Sequence, residues 1–466
     1  MRLLPITWSR GESVADAAIV ALCVFSVANP LVAQATFFFF PYPLAGMNIM
    51  QWFQGLCFPL ILITLPKLSR NGVEFSPLFS RLLWAYVISL GLLHLRLLST
   101  GRLPADMIGT ERMVYFKVIF GLLLWYYASC LTRSQESARR LLQSILLGAL
   151  ISAGWVLICY FFGIGGAHYA AAGVTATAGS EGASGKGMAG FLLPAVAGAI
   201  FLALREGSHW WAMGASLLLA AVFVTFDRSA QVAFMAGLSW MVIWWVGLAR
   251  PRPRTKAILP LVCIIFALGS IYFAHRGSEE LVARWTRDFD RGEIGSGRET
   301  FYATAWNWFC QDSSVTDFCF GMGFGNIYDL MFAGSGIYRH THSDLFDMLL
   351  IGGLVGLALY LLLFYTIASL GRGLPVGSTE FAILGTLLIS FGVMSLFTGL
   401  MAFPHAVYAF GAQCICIRAL AIHEERDRVP IVPSVSAWVR KYRLSQRQIH
   451  DYEGLLVPNS EQNERL

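Results

Sequence analysis

The chain has 466 residues, of which 56% are hydrophobic and 13% charged, with a mean hydropathy of +0.60. A surface that apolar excludes a water-soluble globule, so the solvent of most of this chain is lipid. The net charge of +6 does not indicate a nucleic-acid partner, because the basic residues fall in short clusters between apolar runs, where membrane topology accounts for them.

A spanning helix needs roughly 20 mostly apolar residues, and twelve such runs follow in chain order: 15–36, 45–65, 79–98, 113–131, 142–164, 187–204, 209–226, 229–248, 257–274, 345–370, 380–402 and 404–421. Aromatic tracts at 37–40 and at Trp244-Trp245 mark run ends, where rings favour the headgroup layer. The first run is long, lacks a small-residue cleavage site and is followed by further runs, so it reads as its own insertion signal. The sixth to eighth runs are crowded, which allows tilted or half-inserted segments among them. The predicted fold is therefore an all-α integral membrane protein of about 12 transmembrane helices. Its predicted divisions are 1–274 (spans one to nine), 275–344 (a polar loop domain), 345–421 (spans ten to twelve) and 422–466 (a charged tail).

Lys and Arg stay preferentially on the cytoplasmic side. The connectors and adjoining run ends on the side of the amino terminus hold fifteen of them, the run from Arg250 to Lys256 included, whereas the short connectors and run ends on the other side hold five: Arg96, Arg102, Arg112, Lys186 and Arg228. Both termini are expected in the cytoplasm. The long polar loop, with Trp285, Trp306 and Trp308 among its charges, then faces outside as a helical insert packed on the membrane. A second outside connector, 165–187, is rich in Gly and Ala. Seven of the nine cysteines lie in or beside apolar runs and read as small hydrophobes. Cys310 and Cys319 share the outside loop, where an oxidising compartment favours a bridge between them; two free thiols are the alternative.

Ionisable groups at membrane depth or at a helix mouth are costly unless used. At the junction of the loop and the tenth span stands Arg339-His340-Thr341-His342-Ser343-Asp344. A histidine there can serve as general base near neutral pH, or it can merely touch headgroups. No third ligand at a usual spacing suggests a metal. Arg228, at the outside end of the seventh span, reads either as an anion-binding fork or as a snorkelling anchor. Arg298 reads as a fork or as a solvated loop charge. Asp288-Phe289-Asp290 matches the DxD pattern of metal-dependent nucleotide-sugar transferases, but a three-residue match arises often by chance. Gly352 and Gly356 fit a GxxxG helix-packing pattern.

His342-Ser343, nine residues, then Gly353-Leu354-Val355-Gly356 resembles the signature of the bacterial O-antigen ligases, within the superfamily of O-antigen polymerases and O-oligosaccharyltransferases. In that family the histidine opens the helix after a large periplasmic loop, as His342 does here. Arg228 resembles the family's span-end arginine, although Asp-Arg-Ser stands where Ser-Arg-Gly is common. Arg298, ahead of Trp306, resembles its loop arginine, and the Gly-Met-Gly-Phe-Gly run at 321–325 its glycine-rich turn.

The resemblance implies a class C-like glycosyltransferase of the bacterial inner membrane with its active site facing the periplasm. It implies an undecaprenyl-pyrophosphate-linked O-antigen as donor and lipid A-core as acceptor, with no cofactor and no metal. His342 is the implied base, and Arg228 and Arg298 the implied pyrophosphate ligands. Arg284, Arg339 and Lys186 are further candidates for phosphate contact, and His340 for the acceptor. A polymerase or a protein O-oligosaccharyltransferase would use similar residues. A transporter, the reading of another class, would line a midplane cavity with charge.

Overall fold

A computed structural model of the chain describes residues 13–38, 49–68, 77–162, 185–225, 228–247, 298–335 and 341–428. Among them every regular element is helical: α1 Ser13–Phe38, α2 Ile49–Leu68, α3 Pro77–Ser99, α4 Ile108–Leu131, α5 Gln135–Phe162, α6 Gly185–Glu206, α7 His209–Val224, α8 Arg228–Gly247, α9 Arg298–Asn307, α10 Val315–Phe320, α11 Phe324–Ser335, α12 Asp344–Ser369, α13 Thr379–Phe397 and α14 Pro404–Arg428. Eleven of the twelve apolar runs coincide with helices, and the ninth, 257–274, lies outside the described residues. Nine of these helices are long and apolar enough to cross a membrane, with shorter apolar cores in α2 and α7. At 16 residues, α7 rises about 24 Å, less than the roughly 30 Å hydrocarbon layer, in line with the crowding of that region. The bundle belongs to the first of two units, Met1–Ala421, the second being Ile422–Leu466.

Lipid tails are as apolar as leucine, so helix association rests on close packing and on polar contacts rather than on exclusion of water. The central post is α6, almost wholly buried, with α4 and α14 next. Its small residues allow that position: a side chain on Gly198 would run into Gln413 of α14, and one on Gly190 into Leu400. Around the post, α8 packs on α13, α7 on α6, α1 on α5 and α12 on α3. Polar links cross the core, as where the Ser26 and Tyr408 hydroxyls meet at 2.6 Å. Arg139 pairs with Glu206 at 2.9 Å and Arg205 with Glu380 at 2.7 Å, which sets the connectors at 132–134, 207–208 and 370–378 at one end of the bundle. The short helices α9 to α11 lie at the other end.

The tenth predicted span is not one helix. Gly353 sits at φ 62°, ψ −151° and breaks α12, which leaves carbonyls before the break without their intrahelical donors. The glycine-rich turn supplies them, Met322 N donating to Leu350 O at 2.8 Å and Gly323 N to Ile351 O at 3.2 Å. Gly321 and Gly323 reach this position at φ 78° and 80°, a backbone region open to glycine. A side chain on Gly321 would overlap the Ile351 carbonyl, one on Gly353 the Cys319 carbonyl, and one on Gly356 the Met348 carbonyl, whereas Gly352 faces open space. The GxxxG reading is corrected accordingly: Gly353 packs against the neighbouring α10, Gly356 crowds only the Met348 carbonyl of its own helix, and Gly352 packs on nothing within 4 Å.

The expected bridge between Cys310 and Cys319 is also corrected, since both are free thiols, Cys310 exposed and Cys319 half-buried. Phe309 and Phe318 stack at 4.6 Å where the π-helical turn Trp308–Asp312 meets α10. Each cysteine, one position further on, is carried away from that contact by helical rotation.

Candidate functional site

The connector between α13 and α14 organises the loop-bearing end. The apolar run at 380–402 does not continue as helix through it. Instead α13 ends at Phe397 and residues 400–402 form a single 3-10 turn before Pro404 opens α14. Three helices tie themselves to it or to the last turn of α13 that leads into it. Tyr302 of α9 donates its hydroxyl to Leu396 O at 3.1 Å, the Ser229 hydroxyl of α8 meets Thr398 Oγ1 at 2.8 Å, and Met401 N donates to Asp344 Oδ1 of α12 at 2.9 Å. These are the helices that begin with Arg298, with Arg228 and just after His342.

His342 is the one non-glycine residue at positive φ (58°) among the described residues, and its side chain is half-buried. Histidine tolerates this region better than most residues, yet such a conformation costs of order 1 kcal/mol and persists only where its surroundings impose it. They do so here. Thr341 donates to Asp347 Oδ1 from its backbone N at 3.1 Å and from its hydroxyl at 2.6 Å, and Ser343 N donates to Thr341 Oγ1 at 3.3 Å. Thr341, Ser343, Asp344 and Asp347 are all buried, so within 341–344 only His342 reaches toward solvent.

Arg298 opens α9 and is half-buried. One turn on, the Tyr302 ring stacks on Phe346 at 4.8 Å, with 15° between planes; Phe346 is itself one turn beyond His342. Burial first of all, with Asp347 and Glu299 adding and the Arg298 charge opposing, pushes the Tyr302 hydroxyl up to about 12. Tyr302 is therefore protonated near neutral pH and able to donate to Leu396. The helix that Arg298 opens and the helix that follows His342 are thus joined through one stacked aromatic pair. Arg228 begins α8 beside Ser229, which places its backbone at the same connector; its side chain lies outside the described residues.

Residues 213–361, which include Arg228, Arg298, His342, Gly353 and Gly356, match the sequence model of a family described as O-antigen ligase. That match, over about a third of the chain, supports the O-antigen ligase resemblance. No curated protein matches the chain. Of the other candidates for phosphate or acceptor contact, Arg284, Arg339 and His340 lie outside the described residues, as does the Asp288-Phe289-Asp290 pattern. Lys186 falls in the first turn of α6, with its side chain outside them.

Two carboxylates that sequence reading passed over hold the loop helices in place. Glu111, fully buried at the start of α4, accepts from Gly325 N and so caps the amino terminus of α11, where a negative charge is favoured. A lone carboxylate opening an apolar run was the available signal. Asp317 of α10 accepts from Arg96 and, at 2.8 Å, from Arg102, while the Ser314 hydroxyl donates to its other oxygen at 2.7 Å. Among the described residues, the buried carboxylates Glu111, Asp317, Asp344 and Asp347 all lie in the first turns of α4, α10 and α12, not midway along a helix as a transporter would have them.

Burial raises the Asp317 carboxyl, but bonds from Arg102, Ser314 and Arg96 outweigh it and hold the group below its ordinary value of 3.8. The stabilisation is then fully present above the unfolded value and is lost as pH falls through the lower folded one. Asp317→Asn is expected to lose roughly 1–3 kcal/mol near neutral pH. Thermal midpoints of the two proteins should converge below about pH 3.8. A gap independent of pH would remove the ion pairs from this account.

Proposed function

We propose that the chain transfers O-antigen polysaccharide from undecaprenyl pyrophosphate onto lipid A-core, at the periplasmic face of the bacterial inner membrane. What supports the reading is the convergence of three helices on the connector at 396–401, because those helices carry the residues that the family match spans. In this reading the acceptor hydroxyl oxygen attacks the anomeric carbon. The bond from that carbon to the pyrophosphate oxygen breaks, and its electron pair leaves on the diphosphate. Arg228 and Arg298 hold the leaving group, whose charge planar and permanently ionised guanidinium forks are suited to receive. The hydroxyl proton passes to His342, and displacement from the opposite face inverts the anomeric configuration. No cofactor takes part. Both termini stay in the cytoplasm, and Arg284, Arg339, Lys186 and His340 assist at the phosphates and the acceptor.

The experiment is transfer in vitro with purified chain, lipid-linked glycan and lipid A-core. A ligase loads glycan onto lipid A-core, whereas a polymerase lengthens the lipid-linked donor, an outcome that would replace this reading with its sister activity. Arg298→Gln and Arg228→Gln are each expected to lower the transfer rate about a hundredfold, the usual loss when one donor to a developing negative charge is removed. Arg298→Lys and Arg228→Lys should retain more, because a point charge remains. Equal loss in the Lys and Gln variants would mean that shape rather than charge is what these positions contribute.

A further inference from the structure

A cavity of about 340 Å³ lies between α3 and α12, apart from the His342 corner. Its walls are Leu90 and Leu93 on one side and Met348, Ile351, Val355 and Leu359 on the other. Where α12 breaks, Gly352 contributes no side chain, and a Cβ added there would meet open space. Leu92, which also lines the cavity, is 63% exposed, so the slot opens sideways onto the apolar flank of the bundle. Thr316 and Phe320 of α10 complete the lining, and Val315 and Phe320 themselves stand exposed. Neither His342, Arg298 nor Tyr302 borders it.

Depth and charge point to the occupant. From Tyr86 to Arg96, both in the lining, α3 rises about 15 Å, which is half of a roughly 30 Å hydrocarbon layer and so the depth of one leaflet. At the Arg96 end, Arg96 and Arg102 share the single carboxylate of Asp317, leaving a surplus of one positive charge. Arg102 is half exposed, so that surplus faces outward. An apolar slot one leaflet deep with one spare positive charge at its mouth matches a lipid chain under a singly charged phosphodiester. A pyrophosphate would bring at least twice that negative charge.

We propose that this slot holds one acyl chain of an anionic glycerophospholipid of the surrounding bilayer, with its phosphodiester against Arg102 and the outer edge of Arg96. The lipid fills the gap beside the break in α12 and rests under α10.

The test uses the full chain in nanodiscs of phosphatidylcholine carrying a trace of phosphatidylglycerol with a photoreactive acyl chain, the cross-linked peptides then being mapped. Cross-links are expected in 86–96 and 348–359, competed about fivefold better by unlabelled phosphatidylglycerol than by phosphatidylcholine, the factor that one basic residue at an anionic surface contributes. Arg102→Gln should erase that preference, and Gly352→Trp should reduce slot labelling to background while labelling elsewhere persists. Even spread of label over the lipid-facing helices, or equal competition by the two lipids on the unaltered chain, would overturn the proposal. So would stronger competition by an isoprenyl pyrophosphate, which would assign the slot to the donor. Competition on the unaltered chain decides even if Gly352→Trp does not fold. The readout is lipid binding rather than glycan transfer, so this inference and the proposed activity can fail separately.

Discussion

His342→Asn is expected to lower glycan transfer about a thousandfold while leaving insertion and thermal stability close to those of the unaltered chain, a general base being worth 10²–10⁴ in rate. Asparagine is the informative replacement because it tolerates the positive φ of 58° that this position requires. It therefore removes the proton acceptor without moving Thr341 and Ser343 from their bonds. His342→Ala should be equally inactive but somewhat less stable, since alanine in that region costs roughly 1–2 kcal/mol. Transfer by purified chain is the activity measurement and thermal unfolding in detergent the control. Near-normal transfer by the asparagine variant would end the assignment of His342 as base.

The second large effect separates two adjacent glycines. Gly353→Ala is expected to cost about 3 kcal/mol, combining a positive-φ conformation (φ 62°, ψ −151°) essentially reserved for glycine with overlap against a packed backbone, because its new Cβ would press on the Cys319 carbonyl. Gly352→Ala meets nothing within 4 Å and lies at ordinary helical φ, so it should be neutral or raise stability by up to about 1 kcal/mol. The Gly353 variant should also lose transfer, since the turn at 321–325 that caps Leu350 and Ile351 would be displaced. Unfolding midpoints of the two single variants are the comparison. Equal effects would mean that the break in α12 is not held by the loop.

Much of the fold follows from composition, because a segment in lipid must satisfy its backbone internally and so declares itself as about 20 apolar residues in a row. That rule located α1 to α8 and α12 to α14, not the short loop helices α9 to α11, and it marked His342, Arg228 and Arg298 as polar groups needing a reason. It could not reveal the break in α12, since Gly352 and Gly353 leave the hydropathy of 345–370 undisturbed. Nor could it reveal the connector at 396–401, which sits within an apolar run and whose role rests on a hydroxyl, a backbone carbonyl and a backbone N–H. The pairing of Cys310 with Cys319 was inferred from compartment and a shared loop, and the stacking of Phe309 on Phe318 took that contact instead.

The sequence by itself determined which segments are helical and apolar, and which few ionisable residues stand at their ends, because burial in lipid is a property of each segment alone. Tertiary structure alone decided that α8, α9 and α12 meet on one connector, and that Glu111 and Asp317 fasten the loop helices to α3 and α4. Such pairings depend on hydrogen bonds between residues as much as 221 positions apart, whose directions are set by helix packing and leave no periodic mark in the chain.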